Sequence, residues 1–161
     1  MKMKRFGETE QTVYDLVKPI TDELGYDLWD VSYEKEGAYW YLRIYIDHAD
    51  GIDIEDCERA TRPINAAIDR ADPISEAYIL EVGSAGLERA LNTPAHLESS
   101  LGFDVRARAV RPVEGEREWI GQLLAYDEAS VCIRLRETEQ EKRLLLSDLS
   151  YIRRYIDVEF S

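Results

Sequence analysis

The chain has 161 residues, 45% apolar and 33% charged, with a formal net charge of −13 and two cysteines. That length builds one medium or two small cores, and this balance excludes a disordered chain. No apolar run is long enough to cross a bilayer, and two cysteines make neither a disulfide framework nor a zinc site.

The basic N-terminal residues Lys2, Lys4 and Arg5 lead into an acidic stretch, which lacks the apolar centre of a secretory signal. A reducing cytoplasm is the expected compartment. Charge is uneven: residues 1–91 carry 10 Lys+Arg against 20 Asp+Glu, residues 92–161 carry 10 against 13. An acidic front half repels phosphate backbones and suits a basic protein partner.

Val13, Leu16, Val17, Ile20 and Leu24 fall at helical spacing and predict a helix over Glu8–Leu24, with Gly25 as its cap. Residues 28–34 alternate, putting Trp29, Val31 and Tyr33 on one face. Glu36-Gly37 turns the chain into Tyr39–Asp47, where Leu42, Ile44 and Ile46 share a face: an antiparallel hairpin. Asp53 and Asp56 have the spacing of an N-cap and its third-position partner. They predict a helix burying Cys57, Thr61, Ile64 and Ile68, kinked or ended early by Pro63. Asp72-Pro73 closes it, and residues 78–82 make a third strand. The order α-β-β-α-β lets two helices cover one face of a small sheet.

Thr93-Pro94 starts a short helix over 94–100. Strands follow at 103–110, 117–126, 130–136, 142–146 and 151–156, a density that predicts a small closed barrel with Gly121 helping one strand to bend. The expected fold class is α+β in two domains: residues 1–91 as the α-β-β-α-β unit and residues 92–161 as the barrel.

The stretch 80–91, LEVGSAGLERAL, carries the pattern most open to chemistry. It lacks the glycines and the Lys-Ser or Lys-Thr ending of a phosphate loop, and the central serine of a nucleophile elbow. Gly83-Ser84-Ala85-Gly86 spells the G-x-x-G of a KH clamp, but it follows a strand and carries no basic residue. Local chemistry favours a turn by which the chain leaves the sheet. Asp47, Asp50, Asp53, Glu55 and Asp56 crowd one loop. An EF-hand register there would put Ile46 and Cys57 at ligand positions, so helix capping accounts for them better. His48 and His96 have no partner by spacing and are expected at the surface. Cys57 sits on an apolar helix face, while Cys132 faces away from Val131 and Ile133. No catalytic set, metal site or cofactor loop emerges.

One further pattern has direction. Arg106 and Arg108 alternate with Val105, Ala107 and Ala109, and Arg134 and Arg136 alternate with Val131, Ile133 and Leu135. With Arg111, Arg153 and Arg154 they would form a basic outer face if their strands lie together. That face would suit RNA or an acidic partner, or would be a solvated surface neutralised by Asp104, Glu118, Glu137 and Glu141.

LEVGSAGLERAL and residues 42–69, LRIYIDHADGIDIEDCERATRPINAAID, together resemble the bacterial ribosome maturation factor RimP family. The resemblance rests on Tyr45, Ile46, Asp47, Gly51, Asp56, Cys57, Leu80, Glu81, Val82, Ser84, Gly86, Leu87, Arg89 and Leu91. It is strong in the first domain and loose in the second. Gly83, Ala85 and Ala90 stand where the family has Ser, Pro and Pro, and Glu88 replaces Asp, so the loop should be more flexible than usual. Pro63 inside its helix is also unusual, and the ending LSYIRRYIDVEF departs from a tail rich in Ala and Lys.

The resemblance implies an α/β domain followed by an SH3-like or Sm-like barrel, in a non-enzymatic assembly factor of the small ribosomal subunit. It implies no cofactor and no membrane, and a chain acting as a monomer on the immature or free subunit. The family's partners include the basic small-subunit ribosomal protein numbered twelve, with rRNA close by. Ser84, Gly86, Leu87, Glu88 and Arg89 are the contact residues expected on this ground, beside Arg106, Arg108, Arg134 and Arg136. The alternative is a general RNA-binding or RNA-chaperone module that uses the basic face of the barrel.

Overall fold

The computed structural model describes residues 1–156 and contains three α-helices and two β-sheets, an α+β fold. The chain divides into two compact units, Phe6–Ala85 and a second made of Met1–Arg5 with Gly86–Ser161. The break therefore falls earlier than the expected 91/92 boundary, and the first five residues join the second unit. Backbone bonds give the reason: Lys4 N–H donates to the Asn92 carbonyl, and Leu91 N–H donates to Ile152. The Met1 ammonium donates to the carbonyls of Leu146 and Leu149.

In the first unit, helix α1 (Glu8–Leu24) ends on Gly25 and buries Val13, Val17 and Thr21. Strands β1 (Asp27–Glu36) and β2 (Tyr39–Asp47) form the expected hairpin. A bulge between Leu28 and Asp30 changes which side chains reach the core: Leu28 and Val31 are buried, while Trp29 is only half-buried. The expectation that Trp29 shares the face of Val31 fails for that reason. Helix α2 (Ile54–Ala71) opens with the predicted box, Asp53 accepting from Asp56 N–H and Asp56 from Asp53 N–H. Pro63 does not end it, because Ala60, Ile64 and Ile68 continue one buried stripe on both sides of the proline. Cys57 and Thr61, expected inside, are half-buried at the edge of that stripe.

Strand β3 (Tyr78–Ser84) runs parallel to β2, giving the order β1-β2-β3. The helices pack on one face of this sheet, over Leu42, Ile44 and Ile46 of β2.

In the second unit α3 (Pro94–Ser99) is capped by the Thr93 hydroxyl, which accepts from His96 N–H. His96 is a correction to the surface reading: it is buried, its Nδ1 accepting from Asn92 N–H at 3.0 Å. Strands β4 (Asp104–Val113), β5 (Glu116–Tyr126), β6 (Ser130–Leu135), β7 (Glu141–Leu145) and β8 (Leu149–Arg154) form one antiparallel sheet ordered β7-β6-β5-β4-β8. Val105, Ala107, Leu123, Val131, Ile133, Leu149 and Ile152 are its buried face. The predicted closed barrel is not formed: among the described residues no ladder joins β7 to β8. The chain passes between them by a 3-10 turn, Leu146–Asp148, whose geometry takes it out of strand pairing. No helix among the described residues is long and apolar enough to cross a membrane.

Candidate functional site

In the first unit the side chains of β2 alternate between the core and the face opposite the helices. Tyr41, Arg43 and Tyr45 stand on that open face, in register with Ile79, Glu81 and Gly83 of β3. Arg43 is fixed there: its guanidinium donates to both oxygens of Glu36 (2.6 and 3.1 Å) and, through Nε, to Glu81 at 2.9 Å. The same guanidinium lies 4.7 Å from the centre of the Tyr41 ring. Its charge is thus neutralised on the spot, and the acidic surplus of the unit is left uncompensated. The acidic loop before α2 is also committed to structure. Asp56 accepts from the Tyr26 hydroxyl at 2.6 Å, and Arg59 donates to the Tyr26 oxygen at 2.7 Å. The Asp53 N–H and then the Tyr26 hydroxyl hold the Asp56 carboxyl below its ordinary range. Among the described residues no group of three His, Cys, Asp or Glu side chains is placed to hold a metal ion.

The formal charge follows the division into units. Phe6–Ala85 has 6 Lys+Arg and 19 Asp+Glu, a net of −13, and the remainder has 14 of each. The whole net charge of the protein therefore sits on the first unit.

The residues expected in the signature stretch part company. Ser84 ends β3 and is exposed, in the first unit. In the second unit Gly86 takes φ +86°, a left-handed conformation that favours glycine, and turns the chain. Leu87 is 71% exposed and Glu88 is exposed. Arg89 is not a surface residue: it is 9% exposed, its Nε donates to the Gly86 carbonyl at 2.9 Å, and its own carbonyl accepts from Arg154 N–H. Arg89 therefore braces the turn, while Leu87 and Glu88 are presented by it. Arg89→Ala is expected to lower the stability of the second unit by about 1–3 kcal/mol. Leu87→Ala and Glu88→Ala should stay within about 0.5 kcal/mol of the parent. Chemical denaturation of the three variants checks this, and equal losses at all three positions would remove the distinction.

The four arginines do share a face. Arg106 lies opposite Ile120 in β5 and Arg153 in β8, and Arg136 N–H donates to the Ile120 carbonyl on the other side of β5. Arg136, Ile120, Arg106 and Arg153 thus stand in one row, since directly opposed residues project to the same side of a sheet. Arg108 lies opposite Glu118 and Tyr151, and Arg134 opposite Gln122, in adjacent rows. The Tyr155 ring lies 5.1 Å from the Arg106 guanidinium and 5.4 Å from that of Arg136. Tyr155 gave no signal in the sequence, because only the register reveals what it lies beside. Glu118 is the counter-charge, 3.2 Å from Arg106 Nε and 3.4 Å from Arg108 Nη1. Arg154 leaves this face: it lies opposite the buried Val105 and donates to the Ser100 hydroxyl and the Ser99 carbonyl.

The protein therefore carries two chemically opposite surfaces, an acidic first unit and an arginine face on the second. Residues 16–88, nearly the whole of the acidic unit and the start of the turn that follows it, match the family model described as the RimP N-terminal domain. The first unit is thus a domain of the RimP N-terminal type.

Proposed function

We propose that this protein is an assembly factor for the small (30S) ribosomal subunit that acts by binding, without catalysing a reaction. It engages the immature or free subunit in the cytoplasm as a monomer. The observation that carries the reading is the RimP N-terminal domain match, which falls on the unit holding the entire net charge of −13. Such a surface attracts a basic small-subunit ribosomal protein and disfavours phosphate contact. The arginine face of the second unit suits the neighbouring rRNA. Binding one conformation of the subunit in preference to others stabilises it by mass action, which is sufficient for maturation without turnover. The two units act as two domains in this reading, the second a variant of an SH3-like or Sm-like barrel. Support for that comes from its five short antiparallel strands and the 3-10 turn before the last one.

Ser84, Leu87 and Glu88 are the signature residues available for contact, with Gly86 and Arg89 shaping the turn. Co-sedimentation with ribosomal particles tests the reading. The protein should travel with free small subunits and not with full ribosomes or naked rRNA. Equal association with every RNA, or with none, would overturn it. The row of arginines around Tyr155 favours a second reading, a general RNA-binding or RNA-chaperone module. That module would bind free rRNA with an affinity falling steeply with salt, by a slope of roughly −0.7 per phosphate contacted.

A further inference from the structure

The two edges of the three-stranded sheet are not equivalent. Edge strand β1 is blunted: it carries the Leu28/Asp30 bulge, its Val31 N–H donates to the Asp30 carboxylate at 2.8 Å, and its Tyr33 N–H donates to Glu10 at 3.2 Å. On the opposite edge, β3, the ladder to β2 runs without a register shift from Tyr78 to Ser84. Ala85 N–H donates to the Ile46 carbonyl, so residues in step with it (Gly83, Glu81 and Ile79) turn their peptide groups toward β2. Leu80 and Val82 turn theirs outward, and no protein group pairs with them among the described residues.

Both faces of this edge are hollowed. On the helix side a cleft of about 620 Å³ is lined by Ile52, Ile54, Cys57, Thr61 and Val82, with Asp53 and Glu58 at its margin. Ile54 is 77% exposed there. On the open side a cleft of about 470 Å³ lies over Gly83, between Tyr45, Arg43 and Glu81. A strand added to an edge sends successive side chains to opposite faces, so one would enter each cleft in turn.

We infer that the β3 edge takes up an extended, Lys/Arg-rich polypeptide segment as a fourth strand of this sheet. Backbone bonds to Leu80 and Val82 would hold it in register, its apolar side chains would fill the cleft beside Ile54, and its cations would meet the acidic surplus. Charge complementarity selects the occupant. The unit bears −13, Asp53, Glu58 and Glu81 flank the edge, and the one cation lining either cleft, Arg43, is already held by Glu36 and Glu81. The inference deepens the proposed function, on which its choice of a basic ribosomal protein as the source of the segment rests.

Amide hydrogen exchange by NMR tests it, with a short synthetic peptide alternating Lys with Val as the probe and a Glu-Val peptide as control. The Lys-Val peptide should slow exchange at Leu80 and Val82 by about tenfold or more. Ile54→Lys combined with Glu58→Lys, both exposed positions, should weaken its binding by about tenfold. Equal binding of the two peptides, or protection elsewhere than at Leu80 and Val82, would overturn the inference. Co-sedimentation separates the two proposals. A double variant that still travels with free small subunits as the parent does removes the β3 edge from the subunit contact and leaves the assembly reading intact. A parent protein that ignores subunits while the Lys-Val peptide still protects Leu80 and Val82 sinks the assembly reading and upholds the edge.

Discussion

Gly121→Ala is expected to unfold the second unit at temperatures where the parent is native. A Cβ at this position of β5 would lie 2.1 Å from the Arg134 carbonyl oxygen, 2.6 Å from Ile133 Cγ2 and 2.8 Å from the Arg134 carbonyl carbon. Two of those three atoms are backbone, so no rotamer change relieves the contact. Nor can β5 retreat, because it is hydrogen-bonded to β4 on its other side, where Gly121 lies opposite Val105. Overfilling a core costs about 1–3 kcal/mol when side chains can move, and more when they cannot. A loss of at least about 3 kcal/mol is expected, a fall in Tm of roughly 12–24 °C for a unit of this size. Trp119, two residues away and buried, is the only tryptophan of the second unit, so its near-ultraviolet signal reports the event. A Tm within about 2 °C of the parent would show that β5 and β6 separate freely here and that the close approach is not structural. Gly121, expected to help its strand bend, is required here for another reason: the missing side chain is the space that the β6 backbone occupies.

Much of this architecture was legible because it rests on local chemistry. The α2 box needs only Asp53 and Asp56 three residues apart, and the hairpin needs only alternation and a turn. What the sequence hides are contacts whose partner is distant or belongs to the backbone. Nothing at Lys4 announces a bond to Asn92, so the first five residues could not be assigned to the second unit. His96 looked like a surface residue because its partner is a main-chain N–H across a turn, which no side-chain spacing encodes. Arg89 is the same case, since its guanidinium answers the Gly86 carbonyl. The Leu28/Asp30 bulge shifts the pleat by one residue and exchanges Trp29 for Leu28, a change that periodicity cannot register. Alternation put Arg106, Arg108, Arg134 and Arg136 on one face, whereas Arg154, counted with them, turns away from it. That Arg136, Arg106 and Arg153 fall in one row, with Ile120 of β5 between the first two, is a matter of register, which the pattern within any one strand leaves open.

That alignment leads to a pair of opposed outcomes for RNA contact. Replacing Arg106, Arg108, Arg134 and Arg136 together with Gln should flatten the salt dependence of association with rRNA-containing particles. Each neutralised phosphate of a single strand accounts for roughly 0.7 in log–log slope, so four of them amount to a change of about 3. Glu118→Gln should act in the other direction. Its carboxylate lies beside both Arg106 and Arg108, so it competes with phosphate for two guanidinium groups at once. Removing that one charge leaves the donors in place and the sheet register untouched, while raising the local positive potential. Affinity for single-stranded RNA should rise several-fold at low salt, and the slope should steepen by about 1. Glu118 is 36% exposed at its side chain, which keeps the pairs weak and the exchange for phosphate inexpensive. Binding to free small subunits and to a single-stranded RNA, measured across a salt series, reads both variants on one scale. If the fourfold variant keeps the parent slope, phosphate is met elsewhere and the arginine row is a solvated face. If it flattens the slope while Glu118→Gln leaves binding unchanged, Arg134 and Arg136 carry the contact, and the pair that Glu118 holds, Arg106 and Arg108, contributes shape alone.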